Sequence, residues 1–422
     1  MHDNIRFVDK LKIFFQPNQW IFLFKYLLFS IIVGALVGSV VAWFLISLDF
    51  ITEFREINIW IVWLLPFGGL IIGLLYHFYG HGVMDGNNEL LSEFYSPKKI
   101  IPLKMAPMIF LATLITHLFG GSAGREGTAV QIGGAISNQF TKVFNLNPLD
   151  HKILIIIGIS AGFSAVFGSP LAAAVFALEV LMIGRLSYEA LIPSFLTAIV
   201  ANYICTFWGV EHTLYSIVFV PEINPFYFIL SIFSGVLFGL TAKIFSNSTH
   251  HISSFIKQKI KYPPLRPFIG GIFIALFVMV FGATDFIGLG IPTILQSFDH
   301  QLLPHFFIIK LLLTAFTLGV GFKGGEVTPL FFIGATLGSS LSLIMPLPVG
   351  LLAAMGFVAV FAGASNTPIA CTILGMELFG IECGMYVGLA CTTAYLFSGH
   401  HGIYQAQSIG VSKHFLFQSK KN

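Results

Sequence analysis

The glutamate of Gly124-Arg125-Glu126-Gly127-Thr128 constrains this chain more than any other residue, because apolar runs flank it from Ile109 to Gly120 and from Ala129 to Ile136. An ionisable side chain in such a setting is expensive to hold and usually functional. The flanking glycines place it at the start of a membrane-embedded helix, where free N–H groups and the positive end of the macrodipole form an anion site. A carboxylate there is its own stand-in anion, and a substrate anion that displaces it leaves it free to carry a proton. Taken alone, the segment reads first as a buried Arg125–Glu126 pair or a helix cap. It is not alone. Gly324-Gly325-Glu326-Val327-Thr328-Pro329 repeats the pattern 200 residues later, with Gly124, Glu126, Thr128, Gly134 and Ala135 returning as Gly324, Glu326, Thr328, Gly334 and Ala335. Phe163 to Glu179 and Phe361 to Glu377 share Phe, Pro, Ala and Glu positions at a spacing of 198. The chain therefore reads as one duplicated unit, and paired Gly/Pro-interrupted hydrophobic segments in two halves point to a transporter's midplane site.

Composition places that unit in a bilayer. Hydrophobic residues make up 56% and charged residues 10%, and mean hydropathy is +0.87. Average soluble domains are about 25% charged. A spanning helix needs about 20 apolar residues, and Trp20 to Leu48, Trp60 to Phe78, Ile153 to Met182, Phe226 to Phe245 and Phe268 to Phe281 with its continuation qualify as long apolar stretches. Broken stretches around 101–145, 286–345 and 363–380 suggest half-spanning helices, tolerated where protein or a wet cavity covers the freed backbone. The expectation is an all-α polytopic membrane protein of roughly sixteen to eighteen helical pieces, many tilted.

A net charge of +3 is too small to imply a nucleic-acid partner. Basic residues gather at Arg6, Lys10 and Lys12, at Lys257, Lys259, Lys261 and Arg266, and at Lys413, Lys420 and Lys421. The positive-inside rule then puts both termini and the central connection in the cytoplasm, with an even number of crossings. An amphipathic start over 4–15 would lie on the inner surface, and the first apolar run is too long for a cleaved leader. Cys205, Cys371, Cys383 and Cys391 lack CxxC spacing and read as buried thiols. His250-His251 and His400-His401 point to different helix faces without a completing ligand, so neither a metal nor another cofactor is expected. Gly158-Ile159-Ser160-Ala161-Gly162 has the form of a nucleophile elbow, which makes an intramembrane serine hydrolase the reading from a different class. Small residues throughout 158–174 fit close helix packing in lipid better.

The GREG segment, the SPLAAAVFALE segment, the G-x-x-TP segment and a late tyrosine, in this order and spacing, resemble the CLC anion channels and transporters from about Trp20 to Phe415. Within that family the likeness is to the bacterial fluoride/proton antiporters, the CLC-F branch. Chloride-type members carry GREGP where this chain has Thr128. They carry a serine in a GSGIP loop where this chain has Asn87 in Gly86-Asn87-Asn88-Glu89-Leu90. They carry GxFxP where this chain has Gly325-Glu326-Val327-Thr328-Pro329. A second, inner glutamate of chloride exchangers is matched by Val180. The resemblance implies a CLC-type fold of two inverted-topology repeats of tilted and broken helices. It implies a homodimer with a pore per subunit, in the bacterial inner (plasma) membrane. It assigns Glu126 as gate and proton carrier and Tyr404 as a pore residue facing the central anion site.

On the residues alone, Asn87, Thr128, Thr328 and Tyr404 offer donors without a fixed cation to trap an ion. Together with the positions matched by the resemblance, the expected anion-binding set is Asn87, Gly124, Arg125, Gly127, Thr128, Val327, Thr328 and Tyr404. Asn87 reads equally as a turn residue. Glu326 either tunes the anion or proton path or caps the second broken helix. Glu179 and Glu377 read as structural acids holding N–H groups at a helix junction. Phe94 is the one candidate for a pore phenylalanine. The expected units are a cytoplasmic amphipathic segment (1–19), a first membrane repeat (20–215), a second (216–400), and a C-terminal pore-lining helix with a short cytoplasmic tail (401–422), without a regulatory domain. The expected function is fluoride export in exchange for protons by a secondary transporter, not an enzyme. A chloride or other halide exchanger and a passive anion channel are the alternatives.

Overall fold

Proline and asparagine set where the helices start. The computed structural model describes residues 17–97 and 99–414, and the elements below are those of the described residues. The helices are α1 (Pro17–Ile57), α2 (Leu65–Tyr79), α3 (Asn87–Tyr95), α4 (Met105–Leu118), α5 (Glu126–Val143), α6 (Pro148–Phe167), α7 (Pro170–Glu179) and α8 (Leu191–Phe207). After a long connection follow α9 (Pro225–Lys259), α10 (Leu265–Phe281), α11 (Ile291–Asp299), α12 (His305–Gly319), α13 (Val327–Leu341), α14 (Val349–Ser365), α15 (Pro368–Phe379) and α16 (Gly384–Phe397). Pro at the first helical position costs no hydrogen bond, and α6 and α9 add an Asn cap: Asn147 accepts from the N–H groups of Leu149 and Asp150, and Asn224 accepts from that of Tyr227. Five helical segments, Trp20–Ile57, Ile59–Tyr79, Pro148–Phe167, Tyr188–Phe207 and Pro225–Lys259, are long and apolar enough to cross a membrane. Of the shorter apolar helices, Met105–Leu118, His305–Gly319, Val327–Leu341 and Pro368–Phe379 fall in the broken stretches expected from the sequence.

The two halves repeat each other in packing. α5 lies on α6 and α13 on α14, α1 packs on α8 and α9 on α16, and α2 and α10 pack on each other across the halves. Glycine makes the first two pairs possible. A Cβ on Gly133 would come 2.0 Å from the Gly158 carbonyl oxygen, and one on Gly334 would come 2.0 Å from that of Gly356. Backbones in lipid pack this closely only through small residues.

Each half also contributes a helical hairpin that dips toward the centre. In the first, Asn138 near the end of α5 accepts from the Ile101 N–H just before α4. In the second, Ser339 and Ser340 near the end of α13 donate to the carbonyls of His300 and Leu302 just before α12. Their tips meet where Gly124 pairs with Gly325. A second contact is reciprocal between halves. Glu377, ending α15, accepts from the N–H groups of Leu171 and Ala172 at the start of α7 at 3.0 and 2.7 Å. Glu179, ending α7, accepts from those of Ile369 and Ala370 at the start of α15 at 3.1 and 2.8 Å. Each short helix is thus capped by the other's last carboxylate, the structural role read for these two acids.

Three expectations need correction. Ile153 to Met182 is not one helix, because Gly168 takes a left-handed φ of 73° and Pro170 starts α7 anew. The stretch from Phe268 does not continue past Phe281, since Gly282 ends α10 at φ 64°. The pore-lining helix expected over 401–422 is not formed in its described part. Residues 401–414 run as a strap whose polar groups bond outward, and its Ser408–Ile409 (β2) pairs in parallel with Met182–Ile183 (β1). The amphipathic start, with Arg6, Lys10 and Lys12, and the tail with Lys420 and Lys421 lie outside the described residues.

Candidate functional site

Where the hairpin tips meet, the two glycine motifs bond each other directly. The Gly124 N–H donates to the Gly325 carbonyl at 2.6 Å and the Gly325 N–H to that of Gly124 at 2.7 Å, an antiparallel bridge about the axis relating the halves. A side chain has no room: a Cβ on Gly325 would come 2.8 Å from the Gly127 nitrogen. The bridge sets the N-termini of α5 and α13 against one another, so free N–H groups converge on one place.

The Glu126 carboxylate occupies it. Glu126 is 1% exposed, and its side chain turns from its own helix to the start of the other half's. Oε2 accepts from the Thr328 N–H at 3.0 Å and from the Arg125 N–H at 3.2 Å, while Oε1 accepts from the Thr328 hydroxyl. The Arg125 guanidinium stays at the limit of an ion pair, 3.9 Å away. Of the two readings left open by the sequence, a salt bridge is the weaker: the carboxylate is held by N–H groups at a helix N-terminus, the setting in which anions are bound.

On one side of this seat a cavity of about 230 Å³ is lined by Asn87, Lys323, Glu326 and Tyr404, with Lys257 and His250 at its wall. Asn87 is the first residue of α3, behind Gly86 at φ 57°, and its Nδ2 reaches Gly127, where a Cβ would come within 3.0 Å. Its Oδ1 is buried without a partner. Tyr404 is 7% exposed and sits on the strap, which is pinned on both sides: the Ala406 N–H donates to Asn88 Oδ1, Gln407 bonds Val180, Ser365 and Asn366, and the Ser408 N–H donates to the Tyr95 hydroxyl. Lys323 donates to the Met84 carbonyl and lies over the Tyr76 ring. Glu326 caps no N–H of α13 with its side chain. On the other side of the seat, a cavity of about 20 Å³ is bounded by Arg125, Glu126, Thr328, His212, Thr213 and Tyr215 among apolar neighbours.

The structure therefore gathers Asn87, Gly124, Arg125, Glu126, Gly127, Glu326, Thr328 and Tyr404. Two expected members stand apart. The Thr128 hydroxyl is paired with that of Thr113 at 2.7 Å, because α4 packs on that face of α5. Val327 is buried and lines neither cavity. Sequence reasoning missed His212, Lys323 and Tyr215; Lys323, one residue before the second motif, was within its reach. Phe94 is buried against Tyr95 and Lys152 and lines neither cavity. Ser160 lies inside α6 and donates to the Ser194 carbonyl, without a base beside it among its bonds. His250 bonds the Gly402 carbonyl and Gln405, and His251 bonds Asn247. Among the described residues no cluster of His, Cys, Asp and Glu has the makings of a metal site, and the four cysteines are free and buried.

With this geometry in place, similarity to known proteins is informative. Residues 68–399 match the family described as Voltage gated chloride channel. The chain is 50% identical over 396 residues to a chloride/fluoride channel protein of Pseudomonas syringae pv. tomato, covering 92% of this chain and 88% of that one. It is 26% identical to an H(+)/Cl(-) exchange transporter of Vibrio campbellii, over 84% of this chain and 82% of the other. Among solved structures, a CLC-type fluoride/proton antiporter superposes with a TM-score of 0.89 at 34% identity, covering 92% of this chain and 98% of that one.

Proposed function

Since the chain belongs to the voltage gated chloride channel family, the CLC anion channels and transporters, we propose that it is a fluoride/proton antiporter in which Glu126 is both the gate and the proton carrier. The observation that carries this reading is the Glu126 carboxylate seated on the Thr328 N–H and hydroxyl, at the start of the opposite repeat's helix. Charge-assisted bonds at a helix N-terminus hold an anion firmly. Fluoride competes for those donors. Once displaced, the carboxylate loses them and takes a proton, and the neutral acid no longer blocks the seat. Anion occupancy and protonation are thereby linked through one side chain, which is the requirement for exchange.

Selectivity rests on the same donors. Fluoride is small and strongly hydrated, so a site that admits it must replace many short hydrogen bonds. The converging N–H groups, the Thr328 hydroxyl, the Asn87 amide and the Tyr404 hydroxyl serve that end at close quarters. The larger cavity, with Lys257 and Lys323 at its wall, is read as the cytoplasmic approach that draws the anion in. This orientation, with both termini and the larger cavity inside and the smaller cavity outside in a bacterial inner membrane, follows from the basic residues near the chain ends and the central connection. A homodimer with one pore per subunit accords with the family likeness. The similarity to both a chloride/fluoride channel protein and an H(+)/Cl(-) exchange transporter gives weight to a second reading, a chloride exchanger.

Purified protein in liposomes separates these readings. With fluoride or chloride inside, voltage clamped by an ionophore, and both anion efflux and proton uptake recorded, fluoride efflux well above chloride with proton uptake is expected. Glu126→Gln is expected to remove the proton component. Equal chloride movement would favour the chloride exchanger.

A further inference from the structure

The cavity of about 20 Å³ on the Arg125 side of the gate has room for a single water, and one of its walls is an imidazole that the site so far leaves unused. His212 lies in the connection between α8 and α9. Its Nε2 is buried with no hydrogen-bond partner, whereas its other ring nitrogen is engaged by the Val166 carbonyl. That division fixes the tautomer: the proton sits toward Val166, and Nε2 presents a lone pair. The ring also packs against Gly168. It lies where Gly168, at φ 73°, would otherwise carry a Cβ, within 2.5 Å of that position.

We propose that His212 is the proton-relay residue on this face of the membrane, loading and unloading Glu126 through one water held in the small cavity. This rests on the antiport reading and names how protons reach its gate. A proton from the adjoining solution binds Nε2 and makes the ring an imidazolium, with the Val166-bound proton unchanged. The imidazolium returns one proton to the cavity water, which releases another to a Glu126 carboxylate oxygen, so ring and water end as they began. The reverse order unloads the gate.

The surroundings suit a transient carrier. Burial, and then the Arg125 guanidinium, push the pKa of His212 down to about 4. At neutral pH the ring is therefore uncharged with its lone pair free. The titratable or charged groups facing the ring in this cavity are Arg125 and Glu126 from the start of α5 and Tyr215 from its own connection. α6 and α11 present Val166, Phe167 and Ile291, α13 presents Thr328 and Phe331, and α15 presents Leu378, whose neighbour Glu377 is occupied at the start of α7.

The test is fluoride-driven proton uptake by liposomes, measured against the pH on the His212 side for the wild type, His212→Gln and His212→Ala. Gln keeps a polar side chain of similar reach but cannot carry a proton at these pH values. Proton uptake by His212→Gln is expected to fall about a hundredfold, the loss typical of a removed acid–base group, with fluoride affinity by calorimetry unchanged. Imidazole added on that side is expected to restore part of the rate of His212→Ala. Wild-type rate and pH profile in His212→Gln would overturn the relay, as would a slowed His212→Ala that imidazole does not rescue. A wild type that moves fluoride without protons would instead overturn the antiport reading beneath it.

Discussion

In the proposed antiporter the chemistry is concentrated in Glu126 and Thr328. The carboxylate holds a backbone N–H and a hydroxyl from the same threonine, and only the hydroxyl is open to mutation. Thr328→Val removes one charge-assisted bond, which is worth about 1.5–3 kcal/mol. The gate is then held less firmly, so the fluoride moved per proton is expected to rise, read as the ratio of anion efflux to proton uptake in liposomes. A ratio equal to the wild type would show that the hydroxyl does not restrain the gate. Glu326 faces the larger cavity together with Tyr404 and Lys323. Glu326→Gln removes a negative charge from the fluoride approach, and tighter fluoride binding by calorimetry is expected, with proton coupling through Glu126 retained. The sequence exposed both acids because a glutamate recurring 200 residues apart in apolar surroundings has few explanations. It did not expose that Glu126 seats itself on the other repeat's helix, nor that Thr128 is paired with Thr113, since those contacts join segments with no shared pattern.

At the scale of elements, α7 and α15 depend on each other's terminal carboxylates. Glu179 is 6% exposed and Glu377 more open, so removing the first should cost more. A glutamine in either place turns one acceptor into a donor facing a helix N–H. For Glu179→Gln a loss of about 1–3 kcal/mol is expected from the unsatisfied buried group, and less for Glu377→Gln, both read as lowered thermal unfolding temperatures in detergent. An unchanged transition in Glu179→Gln would argue against the reciprocal cap. The backbone contact of α5 with α6 gives a second expectation: Gly133→Val puts a Cβ 2.0 Å from the Gly158 carbonyl oxygen, so these helices must part and the protein should unfold at lower temperature or fail to assemble. The acids and the small-residue stripe were visible in the sequence as structural features. The break at Gly168 was hidden inside an apolar run that satisfies the length rule for a single span, although Ser169-Pro170 marked it. Tyr404 was read correctly as a late tyrosine and wrongly as part of a helix, because the bonds that hold its strap come from Asn88, Tyr95, Asn366 and β1, all distant in the chain.

For the whole molecule, duplication was the legible fact, and inversion is what gives it a function. Two copies of one hairpin entering from opposite faces place two helix N-termini at the centre, which neither copy achieves alone. His212 shows the limit of reading by motif: it lies in a connection with no repeat partner, and only the folded chain brings it to the gate. In the proposed antiporter two gradients are coupled, and the most direct measurement of that coupling is thermodynamic. Liposomes containing the protein, with equal fluoride on both sides, a clamped zero voltage and an imposed pH difference, either move fluoride uphill or do not. An antiporter with Glu126 as its proton carrier moves fluoride toward the acidic side, driven by protons leaving it, and Glu126→Gln gives no net movement. A wild type whose fluoride stays at equilibrium under that pH difference, while exchanging rapidly, would be a channel and not an antiporter.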